Sequence, residues 1–288
     1  MRVIKEDGTL TEDDSATATQ MNKTLASIFI KEDPNEILPE TNYSYSGSIL
    51  SELIITEEMV LNVLKKLNIN KSAGPDNISP RLLKKCCKSL VRPLTIIFNK
   101  SLQTGDVPTA WKEANVTPLF KKGDKTNPLN YRPVSLTSVV GKVFETIIRD
   151  ALVKHATENA IIKIQQHGFM KKKSTLTNLL EYLNVLTKAK DLGIPVDINY
   201  LDFSKAFDLV DHNLLINKCI ALGVRPSVIA WIASFLEDRE QCVRYRGHKS
   251  EWVKLKGGVP QGTRIGPHGF VTINDAATDN DLAILKYV

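Results

Sequence analysis

Glycine or proline fills four of the six positions in Gly257-Gly258-Val259-Pro260-Gln261-Gly262, so neither a helix nor a central strand can run through them. The chain must turn there. The glycines let the backbone approach a neighbour closely, Pro260 stiffens the way in, and Gln261 offers a donor and an acceptor together. A second segment narrows the choices further. Tyr200-Leu201-Asp202-Phe203-Ser204-Lys205-Ala206-Phe207-Asp208 reads as an apolar strand that delivers a carboxylate, with an aromatic residue five positions later. Taken singly, Asp202 also suits an N-cap after a buried strand, Phe207 a core aromatic, and the glycine turn a surface hairpin exit.

The remaining pattern mixes helices and strands. Thr56-Glu57-Glu58 starts a helix with Met59, Val60, Val63, Leu64 and Leu67 on one face. Ser79-Pro80 opens the next, Arg92-Pro93 is expected to kink or split it, and Gly105 closes it. Extended pieces over 115–120 and 132–136 are joined through the basic turn Lys121-Lys122-Gly123-Asp124-Lys125. Helical patterns cover 139–155, 175–190, 214–222 and 228–236, and a hairpin over 241–255 turns at Arg246-Gly247-His248. Strands interleaved with helices of this length predict an α+β domain. Asp208 and Asp211 read as helix-start residues rather than metal ligands.

Charge is unevenly placed. The chain carries net +6, yet residues 1–50 hold 4 Lys and Arg against 9 Asp and Glu, which leaves +11 on the rest. A basic body behind an acidic lead suits a polyanion-binding module, and equally a solvated basic surface. The lead is expected to be mobile, with one short helix around 21–29. No apolar run is long enough to cross a bilayer, and the first residues lack the apolar core of a secretory signal, so an intracellular, cytoplasmic or nuclear setting is expected. Cys86, Cys87, Cys219 and Cys242 have no zinc-knuckle spacing and read as core thiols of a reducing compartment.

Taken in order, these segments resemble one family. Lys121-Lys122, then Asn130-Tyr131-Arg132-Pro133-Val134-Ser135-Leu136, then Gln166-His167-Gly168-Phe169 before Lys171-Lys172-Lys173-Ser174-Thr175, then Asp202 to Phe207, then Gly258-Val259-Pro260-Gln261-Gly262 look like the fingers blocks and motifs A and B of non-LTR (LINE-type) retrotransposon reverse transcriptases. The resemblance covers about residues 56–288. It departs locally at Ile265, where the family usually has Leu, and at His268-Gly269, where it has large apolar residues.

The resemblance implies an RNA-directed DNA polymerase domain with a right-hand fold: a helical extension over 51–110, fingers and a partial palm over 111–288, and no thumb. It implies an RNA template, a DNA primer and dNTP as partners, and no organic cofactor or membrane. Two Mg²⁺ (or Mn²⁺) ions would be held in part by the Asp202 carboxylate and the Phe203 carbonyl. Phe207 becomes a steric gate beneath the incoming sugar, and Gln261 a contact to the sugar region. Arg132 and Lys121, with Lys122 a near equal, would meet the triphosphate from a β-hairpin, Arg as a bidentate fork and Lys as a point charge. Lys171 to Lys173 would neutralise template phosphates. Asp202 and Gln261 are expected to face one cleft. Tyr287-Val288 look like the first half of motif C, whose Asp-Asp would follow, so this stretch of chain is expected not to extend a primer on its own. The alternative is a non-catalytic, nucleic-acid-binding remnant. A metal-dependent nuclease or phosphatase using Asp202 lacks a second acidic motif.

Overall fold

The computed structural model describes residues 2–30, 47–163, 165–200, 202 and 204–266. Readings that fall on Leu201, Phe203, His268-Gly269 and Tyr287-Val288 lie outside them. Helix starts follow the capping chemistry of the sequence. In α2 (Glu57–Lys65) the Thr56 hydroxyl accepts from the Met59 N–H, and in α3 (Pro80–Lys85) Ser79 accepts from Leu82 with Pro80 in the first turn. α4 (Cys87–Thr104) ends at Gly105, whose φ of +75° supplies the left-handed cap. The expected break at Pro93 is absent. Pro93 sits inside α4, and the chain bends earlier, at Cys86. Proline deprives the Ser89 carbonyl of its helical donor, but Ser89 is exposed while Val91, Leu94 and Phe98 are buried on the packed face.

A short α5 (Thr109–Lys112) leads into β1 (Glu113–Phe120), which pairs antiparallel with β2 (Tyr131–Thr137). The later helices are α6 (Val139–Glu158), α7 (Thr175–Asp191), α8 (His212–Ala221) and α9 (Pro226–Leu236). β3 (Glu240–Tyr245) lies parallel to β1 and pairs antiparallel with β4 (His248–Lys249) and β5 (Val253–Lys254). Among the described residues the sheet order is β2-β1-β3-β4, with β5 also on β3. At the predicted hairpin turn, Arg246 and Gly247 take φ of +47° and +87°, the pair of left-handed residues a two-residue turn demands. The α+β reading holds for a mixed sheet with helices packed beside it.

The main core joins α2, α4, α6 and α9. At its centre Phe98 stacks on Phe144 with ring centroids 4.7 Å apart, and Trp231 meets Phe144 edge-on at 4.9 Å. The Trp231 indole N–H donates to Ser101 Oγ at 3.0 Å, so the ring is buried with its polar atom satisfied. Burial pushes the Cys219 thiol up to about 12, which keeps it unreactive. Cys242 is buried as well, but Cys86 is exposed and Cys87 half-buried at the α3–α4 junction, against the expectation of four core thiols.

Two further expectations fail. Residues 2–30 are not a loose lead: α1 (Asp14–Ala26) packs on the sheet, and Val3, Ala18, Met21 and Leu25 close a second core with Val116, Tyr131 and Val243. Asn22 is buried with them. Its Nδ2 donates to the Glu251 carbonyl at 2.8 Å, and its Oδ1 accepts from Gln241 Nε2 at 3.0 Å. The acidic side chains that suggested mobility face solvent, whereas the apolar stripe between them finds the open face of β1 and β3. The strand expected before Asp202 is also absent from the described residues. Ile194, Val196, Ile198 and Tyr200 are exposed, Tyr200 at 80%, and none of them joins a ladder. A strand is held by a paired neighbour, and no described strand lies alongside this one.

Candidate active site

The glycine turn is wedged between three parts of the fold. The Gly258 N–H donates to the Val210 carbonyl at 3.0 Å and the Val259 N–H to the Phe207 carbonyl at 2.8 Å, so the turn runs along the segment after Asp202. His212, at the start of α8, donates through Nε2 to the Gly258 carbonyl at 2.7 Å. From the other side, the Ser135 N–H of β2 donates to the Gln261 carbonyl at 3.0 Å. Residues 29 and 30 close the third side, where the Ile30 N–H donates to the Asp208 carbonyl at 3.0 Å. Glycine is required at this junction: a Cβ on Gly258 would stand 2.6 Å from the Asp208 carbonyl oxygen and 2.6 Å from the Phe29 ring, at φ +69°.

Gln261 therefore points from a fixed turn, and its Nε2 lies 3.4 Å from both carboxylate oxygens of Asp208. Asp208 is 4% exposed. Burial pushes its carboxyl above the usual carboxylate range, opposed by the Gln261 amide and by Lys205. Folded Asp208 thus keeps its proton to higher pH than the unfolded chain does. Its stabilising share is present below the unfolded value of 3.8 and is lost as pH rises through the folded value. Asp208→Asn should remove that loss, so its thermal midpoint should gain on the parent's as pH rises through the range above the unfolded value of 3.8. An offset that stays constant over that range would mean the carboxyl is not perturbed by burial.

The two triphosphate candidates sit on one hairpin. Arg132 is exposed on β2 opposite Leu119, and Lys121 and Lys122 are exposed just past β1, where the Lys121 N–H donates to the Asn130 carbonyl at 2.9 Å. Arg132 is three residues along β2 from Ser135, which holds Gln261, so one strand connects the cationic tip to the glycine turn. Phe207 is half-buried and tied in through its carbonyl. Asp202 is exposed and makes no hydrogen bond among the described residues, so the structure joins Gln261 to Asp208 rather than to Asp202. Lys171 and Lys172 are exposed ahead of α7, and Ser174 caps that helix through a reciprocal bond with Thr177. Buried His167 fastens this loop to α7 through Thr177 Oγ1 and Glu181 Oε2, each at 3.0 Å.

Among the described residues no group of three or more His, Cys, Asp and Glu gathers where it could hold a metal ion. Asp202 offers a single hard oxygen arm, and that donor set does not by itself fit a two-ion centre. Sequence reasoning missed Asp208, Ser135, His212 and residues 29–30 as parts of the site. Asp208 carried a signal, being next to Phe207 in the same string, and its helix-start reading hid it; Ser135 stood inside the Asn130–Leu136 block without a role of its own.

The mixed sheet, the basic residues on its β1–β2 hairpin and the glutamine on a fixed glycine turn are consistent with a domain of the reverse transcriptase class. The pattern of the family described as reverse transcriptase (RNA-dependent DNA polymerase) matches residues 120–280, more than half of the chain, and the chain belongs to that family. The chain is 32% identical over 214 residues to the probable RNA-directed DNA polymerase from transposon BS of Drosophila melanogaster, covering 74% of this chain and 24% of that protein. It is also 32% identical over 214 residues to the RNA-directed DNA polymerase from mobile element jockey of the same species, covering 74% and 23%. A retrovirus-related Pol polyprotein from type-1 retrotransposable element R2 of Popillia japonica is 27% identical over 175 residues, 60% of this chain and 24% of that protein. The chain spans about a quarter of the length of these relatives, and its domain is that of a non-LTR retrotransposon reverse transcriptase. Among the described residues no helix is long and apolar enough to cross a membrane.

Proposed function

We propose that this domain serves RNA-directed DNA synthesis, binding an RNA template with a DNA primer and positioning a dNTP for nucleotidyl transfer. One observation carries the reading: the turn bearing Gln261 is bonded at once to β2 and to the segment that follows Asp202. In this reading the β1–β2 hairpin belongs to the fingers, and the sheet and glycine turn to a partial palm. Arg132 and Lys121 engage the triphosphate, Gln261 the sugar region, and Phe207 screens the 2′ position. Asp202 and the Phe203 carbonyl would hold one side of a divalent ion, Mg²⁺ or Mn²⁺, which would supply neutralising charge at the phosphate once further ligands completed the site. The +11 balance after residue 50, together with Lys171 to Lys173, supports phosphate-directed binding without strong base preference. A second reading, binding without catalysis, draws on there being no group of three or more His, Cys, Asp and Glu among the described residues that could hold a metal ion.

Titration of an RNA–DNA hybrid separates these readings. Affinity should fall about tenfold or more between roughly 50 and 200 mM salt, and replacing Lys171, Lys172 and Lys173 with Ala should weaken all sequences alike. The next complementary dNTP should tighten the hybrid complex, and Arg132→Ala should remove that tightening while leaving hybrid affinity in place. A flat salt response would overturn the nucleic-acid reading. Hybrid binding with no response to any dNTP would favour the non-catalytic one.

A further inference from the structure

Glu145 lies on α6 and is 1% exposed, a costly place for a carboxylate. Its Oε2 accepts from the backbone N–H of Arg264 at 2.5 Å and of Ile265 at 3.4 Å. The next N–H, that of Gly266, donates to the Thr263 hydroxyl at 3.2 Å. Three successive backbone donors leaving the glycine turn are thus satisfied, two of them by a side chain from a helix about 120 residues earlier. Burial raises the Glu145 carboxyl above its ordinary range, while the Arg264 amide, Arg239 and Lys142 pull it back toward ionisation.

The buried cation that acts on this charge does not take the carboxylate for itself. Arg239 is 1% exposed, its guanidinium lies 4.5 Å from the Phe235 ring centre, and its Nη1 donates to the Phe235 carbonyl. Its Nε and Nη2 have no hydrogen-bond partner among the described residues. With a guanidinium close enough to act on its charge, Glu145 still directs its bonds at two amides of one turn. An ion pair serving only core stability would do the reverse, since an orphaned buried donor is unfavourable.

We propose that Glu145 is a positioning residue for Gln261. The turn is held from both ends: β2 donates through Ser135 to the Gln261 carbonyl, and α6 receives the amides just past the turn at Glu145. Between these anchors the Gln261 side chain has one direction of approach to a nucleotide. This role rests on the reading that Gln261 meets the nucleotide.

The test uses the full 288-residue chain with Glu145→Gln, which keeps the shape and removes the charge. Charged acceptors hold amides about twice as strongly as neutral ones, so amide exchange at Arg264 and Ile265 should quicken by about tenfold or more. Exchange elsewhere in α6 and in the sheet should stay at parental rates. The dNTP-dependent tightening of the hybrid complex should weaken by about tenfold while affinity for the hybrid alone is unchanged. Parental exchange at both amides, or acceleration spread over the whole domain, would overturn the proposal. If Glu145→Gln fails to fold, Glu145→Asp, which keeps the charge and shortens the reach, should show the same local quickening. A parent chain with no dNTP response defeats the nucleotide reading, and the exchange arm then decides the grip on the turn by itself.

Discussion

Replacing Phe144 with alanine should remove about 3–5 kcal/mol of stability, a large share of the roughly 5–15 kcal/mol that holds a typical domain folded. Phe144 has no exposed surface and touches three other rings: it stacks on Phe98, meets Trp231 edge-on, and faces Trp111 edge-on at 6.0 Å. These rings come from α4, α5, α6 and α9, so truncation at this point loosens four helices at once. Rigid neighbours cannot collapse into the space, and cavity cost adds to lost transfer energy. Urea denaturation measures the effect. A loss below about 1.5 kcal/mol would show that the rings re-pack and do not form a fixed centre.

Gly258→Ala should be nearly as damaging, and its damage should be aimed at the site. The new methyl would stand 2.6 Å from the Asp208 carbonyl oxygen and from the Phe29 ring, on a backbone with φ of +69°. Left-handed strain contributes about 1–2 kcal/mol and overpacking about 1–3 kcal/mol. Gly247→Ala is the control, for it has φ of +87° and nothing within 4 Å of the added methyl, so only the strain should appear. The dNTP-dependent tightening should vanish in Gly258→Ala and persist in Gly247→Ala. Equal stability losses in the two variants would mean that the close approach at Gly258 carries no energetic weight.

Much of this architecture can be read from local chemistry. Thr56, Ser79 and Asp211 cap the helices that the sequence assigns to them, because capping depends on a few adjacent atoms. The hairpin turn at Arg246-Gly247 is legible for the same reason. The ordered motifs were enough to indicate the reverse transcriptase family. What escaped depends on partners far away in the chain. Nothing near Asn22 signals that it will bond to Gln241, and nothing near Glu145 signals two amides past residue 263. Composition misled outright for residues 2–30, since their acidic surface masks the stripe formed by Ala18, Met21 and Leu25. The Asp202 segment is only partly open to comparison: Tyr200 is exposed and lies in no described ladder, while Leu201 is outside the described residues.

The bond between Asn22 and Gln241 joins positions 219 residues apart, and β1 likewise waits for β3 across more than a hundred residues. A ribosome makes α1 before it makes β3. α1 therefore emerges with no surface to close on and must remain open while the helices that follow it are completed. Its docking face is built only when the hairpin at β3 has been made. Closing such long loops is entropically slow, so α1 is expected to dock after β1 and β3 have paired. That docking also seats Ile30 on Asp208, so the third wall of the glycine turn depends on α1 having docked.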